Sequence, residues 1–108
     1  MAIALVIEFP GGSQKQYDKV QDTLGLKGPE TWPRGIILHV AGPTAKGWEV
    51  VDVWESRADF DRFVSERLAR ATQEVGLPRP EPLEFPVYRI MQLRNVSSER
   101  GGSRRRAA

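Results

Sequence analysis

The most constraining feature of this sequence is a pair of closely spaced apolar runs, GIILHVA at residues 35–41 and WEVVDVWE at residues 48–55. A strand with one face in water alternates apolar and polar side chains, whereas both runs carry apolar side chains on both parities. The intervening GPTAKG is rich in turn-forming residues, so we predict a β-hairpin with its turn at residues 42–47. Both faces of this hairpin must therefore be covered.

The segment before the hairpin predicts a strand, a helix and a loop. Residues 3–9 (IALVIEF) read as a strand that stops at a Pro-Gly-Gly break. Ser13 and Gln16 then have the spacing of a helix-capping box, and Gly25 provides the left-handed stop. The apolar side chains between them fall on one helical face. Residues 26–34 contain two prolines and no periodicity, which predicts a loop.

The segment after the hairpin predicts a second helix and a final strand. Ser56 and Asp59 repeat the capping-box spacing, and an apolar stripe then runs down five helical turns to Gly76. The stripe consists of Phe60, Phe63, Val64, Leu68, Ala71 and Val75. A connector with three prolines follows, and residues 87–93 (VYRIMQL) predict the last strand.

The resulting order, β-α-β-β-α-β, is that of a ferredoxin-like α+β fold. Right-handed crossovers place both helices on one face of an antiparallel four-stranded sheet. The other face stays apolar, so we expect two copies to stack their sheets into a dimeric α+β barrel. The alternative is a monomer whose apolar patch binds something else. We assign the domain to residues 1–93 and a basic, disordered tail to residues 94–108.

Charge is divided unevenly between these two parts. The whole chain has 16 Lys+Arg and 14 Asp+Glu, but five arginines and one glutamate fall in residues 94–108. The domain is therefore mildly acidic, and only the tail, through Arg104, Arg105 and Arg106, is expected to make weak, salt-sensitive contacts with nucleic acid. An RNA-recognition domain has a basic third strand, whereas WEVVDVWE has three acids and no base, which argues against RNA binding by the sheet.

The chain has no cysteine, which excludes disulfides and thiolate metal sites, and its single histidine argues against a dedicated transition-metal site. The apolar start of the chain, residues 2–9, is too short for a signal peptide or a membrane span. We therefore expect a cytoplasmic protein with neither a metal nor a cofactor.

Residues 35–68 (GIILHVAGPTAKGWEVVDVWESRADFDRFVSERL) resemble bacterial proteins of the dimeric α/β-barrel superfamily, which includes the antibiotic-biosynthesis-monooxygenase-like proteins. The similarity in fold pattern extends over residues 2–93. Members include cofactor-independent monooxygenases of polyketide phenols, small cyclases, haem-degrading enzymes, muconolactone isomerases and many uncharacterised proteins, which this chain resembles most. The resemblance implies a homodimer with a small-molecule pocket and leaves the reaction open. Haem-degrading relatives use a helical histidine, whereas His39 falls in a strand, which argues against haem chemistry.

His39 and Asp52 are the candidate catalytic residues. A turn at residues 42–47 places His39 opposite Val50 and diagonal to Asp52 on the same face. We predict that His39 acts as a base, steadied by the Asp52 carboxylate, and takes a proton from a phenol or an acidic C–H. The structural alternative is that His39 donates to a backbone carbonyl and Asp52 pairs with an arginine. The face is predicted to carry Ile37, His39, Ala41, Trp48, Val50, Asp52 and Trp54.

Five further residues are predicted to bind the substrate. Trp48 and Trp54 would form walls of the pocket, and Tyr17 would reach it from the first helix. Trp32 would cover it from the loop. Arg89, in the predicted last strand, would hold a substrate oxyanion or instead pair with an acid. For the aromatic residues the alternative is core packing.

Two hypotheses about function remain open after the sequence has been considered. The first is a cofactor-independent monooxygenase, cyclase or isomerase that acts on an aromatic or polyketide-like substrate. The second is a ligand-binding or regulatory homodimer without turnover, whose cleft is small or filled. A small aromatic ligand whose effects in an NMR titration map around His39 would favour the first hypothesis.

Overall fold

The computed structural model describes residues 1–94, which form a four-stranded antiparallel sheet with helices on one face. The elements in chain order are β1 (Ile3–Pro10), α1 (Gln14–Leu24), a short 3₁₀ helix (Pro29–Thr31), β2 (Ile36–Thr44), β3 (Gly47–Trp54), α2 (the consecutive segments Arg57–Phe63, Val64–Leu68 and Ala69–Glu74) and β4 (Leu83–Pro86). The predicted β-α-β-β-α-β order and the ferredoxin-like fold class are confirmed. The predicted tail beyond Arg94 lies outside the described residues.

The core lies between the helices and one face of the sheet. The strands are ordered β2-β3-β1-β4, and every adjacent pair is antiparallel. The core cluster consists of Ile3, Leu5, Ile7, Phe9, Leu26, Trp48, Val50, Trp54, Phe60, Phe63 and Val64. Tyr17 and Leu24 of α1 pack against the same cluster, so both helices shelter one face and leave the other without a helix.

Helix α1 has the ends that the sequence predicts. The Ser13 hydroxyl accepts from the Gln16 backbone N–H at 3.2 Å, and the Gln16 side chain accepts from the Ser13 backbone N–H at 3.1 Å. Gly25 ends the helix with a φ of 72°, a left-handed conformation that costs glycine little. The Gln16 amide also donates to the Val75 carbonyl at 3.0 Å, which ties the start of α1 to the end of α2.

Helix α2 begins at its predicted residues but is less regular than the apolar stripe suggests. The stretch Val64–Leu68 is a π-turn, which inserts an extra residue into the helical repeat. The hydroxyl of Thr72 donates to the Leu68 and Ala69 carbonyls at 3.1 and 3.0 Å, and its side chain is fully buried. The π-turn thus shifts the face that the second half of α2 turns toward the sheet.

The predicted hairpin is present, but its turn is shorter than expected. Strands β2 and β3 extend to Thr44 and Gly47, which leaves a two-residue turn instead of one at residues 42–47. The expected register was therefore wrong by two positions, and His39 lies opposite Asp52 rather than opposite Val50. A shift of two residues preserves the face on which each side chain lies, so the predicted proximity of His39 and Asp52 survives the error. Since β2 is an edge strand, it tolerates Pro43.

A β-bulge interrupts β2 at Ile37, which was predicted to share the face of His39. The register is broken between Ile36 and Leu38, so that Ile36 lies opposite Trp54 and Leu38 lies opposite Val53. This β-bulge leaves Ile37 unpaired and 43% exposed, while Ile36 packs against the core. A single inserted residue reverses the alternation of side chains, which no count of parity from the sequence could reveal.

The predicted last strand at residues 87–93 was wrong, because β4 comprises Leu83–Pro86. It pairs with β1 so that Pro86 lies opposite Ile3, and one further hydrogen bond joins the Val87 N–H to the Ala2 carbonyl at 2.9 Å. Ile3 is the first residue of β1, so the ladder between β1 and β4 ends at Pro86, and residues 87–93 lie outside the described strands. An ion pair between Arg57 and Glu84 fastens β4 to α2.

The second face of the sheet, which we call the open sheet face, carries apolar side chains from all four strands and, toward the hairpin turn, the paired Glu8 and Glu49. The paired registers align two rows on it, Val40–Val51–Val6–Leu83 and Leu38–Val53–Ala4–Phe85. The central Ala4 and Val53 are buried, whereas Val40 and Phe85 are each 53% exposed and Leu83 is 72% exposed. The apolar second face predicted from the sequence is therefore a feature of the fold.

Candidate functional site

A small cavity lies between the helix-facing side of the sheet and helices α1 and α2. Its volume is about 50 Å³. Most of its lining is aromatic or aliphatic, and its polar lining residues are Ser13, Tyr17, Gln21, His39, Asp52 and Thr72. Because about 10–15 Å³ is needed for one water molecule, this space holds a few water-sized groups. A larger ligand requires side chains to move.

His39 and Asp52 form a hydrogen-bonded pair within this cavity. The two residues are cross-strand neighbours on β2 and β3, and His39 Nδ1 lies 2.7 Å from Asp52 Oδ1. Asp52 is only 5% exposed, and its second oxygen, Oδ2, accepts from Trp54 Nε1 at 3.1 Å. Both carboxylate oxygens are thus bonded, as a buried carboxylate requires. The structural alternative paired Asp52 with an arginine, whereas the structure pairs it with His39 and Trp54.

Tyr17 extends this pair into a chain of three residues. Its hydroxyl lies 2.5 Å from His39 Nε2. Since the Asp52 carboxylate can only accept, His39 Nδ1 carries a proton, and the neutral imidazole therefore accepts at Nε2 from the Tyr17 hydroxyl. We call the arrangement Tyr17–His39–Asp52 the proton chain. Tyr17 was predicted to reach the cleft, and the structure places its hydroxyl within hydrogen-bonding distance of the candidate base, His39.

The surroundings of Tyr17 favour the neutral, protonated form of its hydroxyl. Burial of the ring, together with the nearby negative charges of Asp52 and Asp18, raises the pKa of Tyr17 from 10.0 to about 12. At neutral pH the phenol therefore keeps its proton and donates it in the hydrogen bond to His39. An imidazolium at His39 would be stabilised by Asp52, as in other acid–base sites built from histidine and a carboxylate.

Aromatic rings surround the imidazole. The Trp32 ring centroid lies 4.5 Å from that of His39, and the Tyr17 ring lies 5.9 Å from it in a stacked arrangement. Trp48 packs against Tyr17, with 5.3 Å between the ring centroids. Trp32, Trp48 and Tyr17 all line the cavity, so the structure brings these three together with His39 and Asp52.

Two of the predicted substrate-binding residues occupy different places. Trp54 is fully buried and packs on Phe60 and Phe63 behind the cavity, where its indole N–H orients Asp52 instead of lining the pocket. Arg89 follows β4 in the chain and lies outside the cavity lining, with its guanidinium 5.9 Å from the ring of Tyr88. Its prediction depended on a last strand at residues 87–93, which the chain does not form on its own.

Sequence reasoning did not identify Ser13, Gln21 and Thr72 as lining residues. Ser13 and Gln21 stand four residues before and after Tyr17, so all three fall on one side of α1, and that spacing was available as a signal. Thr72 was not predictable in the same way, because the π-turn in α2 changes which residues face the sheet.

Neither a cluster of potential metal ligands nor a helix able to span a membrane is found in the part of the chain that the structure describes. Within residues 1–94, no cluster of three or more histidine, cysteine or acidic side chains is arranged to hold a metal ion. No helix in the same range has the length and apolar character needed to cross a bilayer.

The fold and the enclosed site together define a ferredoxin-like α+β protein with a hydrogen-bonded tyrosine, histidine and aspartate in the cleft between sheet and helices. No protein-family model matches the sequence, and no curated protein matches it either. Solved structures do match the fold, and the resemblance predicted from residues 35–68 is confirmed at that level.

Two of these structures are informative. One is a mutant form of SnoaB, a cofactor-independent oxygenase from Streptomyces nogalater, with a TM-score of 0.57 and 11% identity over 83% of this chain and 96% of that chain. The other is a provisionally assigned antibiotic biosynthesis monooxygenase from Deinococcus radiodurans, with a TM-score of 0.54 and 9% identity over 88% of this chain and 100% of that chain. At such identities the likeness concerns the fold and not the residues of the site.

Proposed function

We propose that this protein is a cofactor-independent enzyme that removes a proton from a phenolic or enolic small molecule of the aromatic, polyketide-like kind. The observation that carries the proposal is the proton chain, in which a buried carboxylate, an imidazole and a phenol are joined by hydrogen bonds of 2.7 and 2.5 Å. The cofactor-independent oxygenase among its structural neighbours is consistent with this chemistry.

The direction of proton flow follows from the arrangement of donors and acceptors. A substrate hydroxyl that donates to the Tyr17 oxygen allows the Tyr17 proton to move to His39 Nε2, and the substrate proton replaces it on Tyr17. The electron pair of the broken O–H bond stays on the substrate oxygen. His39 then carries the positive charge, which the adjacent Asp52 carboxylate stabilises.

The substrate anion has two fates that require no resident cofactor. An electron-rich anion with an activated CH₂ group reacts with dioxygen, and the balanced outcome is one new carbonyl group and one water molecule. In the absence of that reaction, the carbanion attacks an internal carbonyl or is reprotonated at another position, which closes a ring or isomerises the substrate. Monooxygenase, cyclase and isomerase activity thus share the same first step.

We further propose that the working form is a homodimer that covers the open sheet face. The two aligned apolar rows on that face support this, because a second copy supplies a surface of the same shape and polarity. The mildly acidic domain supports small-molecule binding over nucleic-acid binding.

A second candidate function is ligand binding without turnover. The observation that favours it is the small volume of the cavity, about 50 Å³, whereas pockets for drug-sized ligands measure about 300–1,000 Å³. On this alternative, the proton chain is a structural network that satisfies Asp52, and the tryptophans fill the cleft.

The two candidates are separated by combining ligand titration with variants of the proton chain. Aromatic polyketide phenols, quinones and small acids are added while backbone chemical shifts and substrate turnover are measured. His39→Ala and Asp52→Asn should abolish any turnover found and leave the dimer intact, whereas Tyr88→Phe, at an exposed tyrosine, should leave turnover unchanged. Full turnover in both site variants would exclude the proton chain, and ligand-induced shifts around His39 without turnover would favour the second candidate.

A further inference from the structure

Trp48 carries a buried hydrogen-bond donor that the protein itself does not use. Its side chain lines the cavity and is only 8% exposed. Within residues 1–94, the indole Nε1 of Trp48 is the one buried side-chain polar atom that has no hydrogen-bond partner. A buried donor without an acceptor reduces stability, so this N–H calls for an explanation.

The neighbouring tryptophan shows that burial of an indole on this face does not by itself leave its N–H unpaired. Trp54 lies on the same strand and the same face, and its Nε1 donates to Asp52 at 3.1 Å. A phenylalanine at position 48 would pack against Tyr17 without burying an unpaired donor. The indole at Trp48 therefore provides something that packing alone does not need.

We propose that the Trp48 indole N–H holds the oxygen atom of the phenolic or enolic substrate. The inference rests on the proposed function and names the group that recognises its substrate. An indole only donates, so its ligand must present an acceptor, and because Nε1 is shielded from solvent, the acceptor must arrive through the cavity. The Tyr17 and Trp48 rings are 5.3 Å apart and both line the cavity, so a phenol inside it is bounded by both side chains.

This donor acts where charge develops during the reaction. When the substrate proton moves to Tyr17 and the Tyr17 proton moves to His39, the negative charge stays on the substrate oxygen. A hydrogen bond from Trp48 to that oxygen is stronger for the anion than for the neutral phenol, which favours proton removal. The site thus has a proton acceptor on one side of the substrate oxygen and an N–H donor on the other.

The test uses the three indole N–H resonances in a proton–nitrogen NMR spectrum. Trp48→Phe identifies the Trp48 resonance, and phenol is then titrated into the wild-type protein, with toluene as the probe of similar shape that lacks the oxygen. Phenol should move the Trp48 indole proton downfield and leave that of Trp54 in place, and toluene should not shift Trp48 downfield. The inference is overturned if phenol leaves the chemical shift of the Trp48 indole proton unchanged. It is also overturned if toluene shifts that proton downfield by the same amount.

Affinity measurements on variants give a second readout. Trp48→Phe should weaken phenol binding by about tenfold or more while the free energy of unfolding stays equal or rises, since the lost donor had no acceptor in the protein. Unchanged phenol affinity in this variant also overturns the inference. Failure of the proposed function looks different, because wild-type protein would then shift the Trp48 resonance with phenol and turn over no substrate.

Discussion

The two faces of the sheet are made by the same four strands, yet helices cover only one of them. On the helix-facing side, the Asp52 carboxylate is bonded by His39 and Trp54 within the core of one chain. On the open sheet face, two rows of apolar side chains cross all four strands, and their outer members remain exposed. The proton chain is therefore assembled within a single chain, whereas the apolar rows of the open sheet face are left uncovered by the helices, and the proposed homodimer would cover them.

The largest expected effect comes from placing a charge on the open sheet face. Val51→Asp puts a carboxylate at the middle of one apolar row, and desolvating it in an interface between two sheets costs several kcal/mol. We expect the dissociation constant of the dimer to rise by about 1,000-fold or more, as measured by sedimentation equilibrium.

Ala45→Asp is the matched control for Val51→Asp. It adds the same charge at the exposed hairpin turn, outside both rows, and should leave the dimer unchanged. Equal dissociation constants of the dimer in Val51→Asp and Ala45→Asp would refute the proposed role of the open sheet face. A wild-type chain that sediments as a well-folded monomer would refute it as well.

A smaller effect is expected from the helix-facing side. Asp52→Ala removes the acceptor of both His39 Nδ1 and Trp54 Nε1, and should reduce the free energy of unfolding by about 2–4 kcal/mol. Chemical denaturation measures the change, and the fraction of dimer at a fixed subunit concentration should be preserved among folded molecules.

Asp61→Ala provides the comparison for Asp52→Ala, since it removes a carboxylate that pairs with Arg57 on the exposed surface of α2. Exposed ion pairs of this kind are worth less than about 1 kcal/mol. Equal losses of stability in the two variants would contradict the account of Asp52 as the centre of a buried network.

The smallest expected effect is a dependence of stability on high pH. Because the pKa of Tyr17 is raised from 10.0 to about 12, the folded state keeps the phenolic proton over a range in which the unfolded chain loses it. Stability should therefore be unaffected by this group below pH 10 and should fall as the pH rises from 10 toward 12.

Tyr88→Phe makes this prediction directly measurable, because it leaves Tyr17 as the last of the two tyrosines. The ultraviolet absorbance of tyrosinate in that variant should appear with a midpoint near pH 12. Tyr17→Phe should remove the fall in stability that Tyr17 causes between pH 10 and 12. A midpoint at pH 10 in the folded variant would show that the hydroxyl is not enclosed in the proton chain.

Much of the fold was predictable from the sequence because its signals are local. The cap at Ser13 and the left-handed Gly25 mark the ends of α1 through contacts within a few residues. The double-sided apolar pattern of the hairpin likewise predicted the open sheet face. The last strand was misplaced because a strand forms only where a neighbouring strand offers hydrogen bonds, and that neighbour is distant in the sequence. Here the neighbour is β1, whose first residue, Ile3, lies opposite Pro86.

For the candidate site, the sequence predicted which side chains share a face of the sheet but not which of them touch. His39 and Asp52 were expected on one face, and that expectation tolerated a register error of two residues. The bond between Tyr17 and His39 depends on how closely α1 approaches β2, which no periodicity encodes. The same applies to Trp54, whose role as a donor to Asp52 depends on the depth at which its ring is buried.

The most direct test of the proton chain is a long-range proton–nitrogen NMR spectrum of the imidazole, which is unambiguous because His39 is the single histidine. At a pH at which the ring is neutral, the account predicts a proton on Nδ1 and a hydrogen-bonded but unprotonated Nε2, whose resonance moves in the Tyr17→Phe variant. A neutral ring that carries its proton on Nε2 would contradict the proposed hydrogen bonding of Tyr17, His39 and Asp52. An Nε2 resonance that Tyr17→Phe leaves unchanged would contradict it as well.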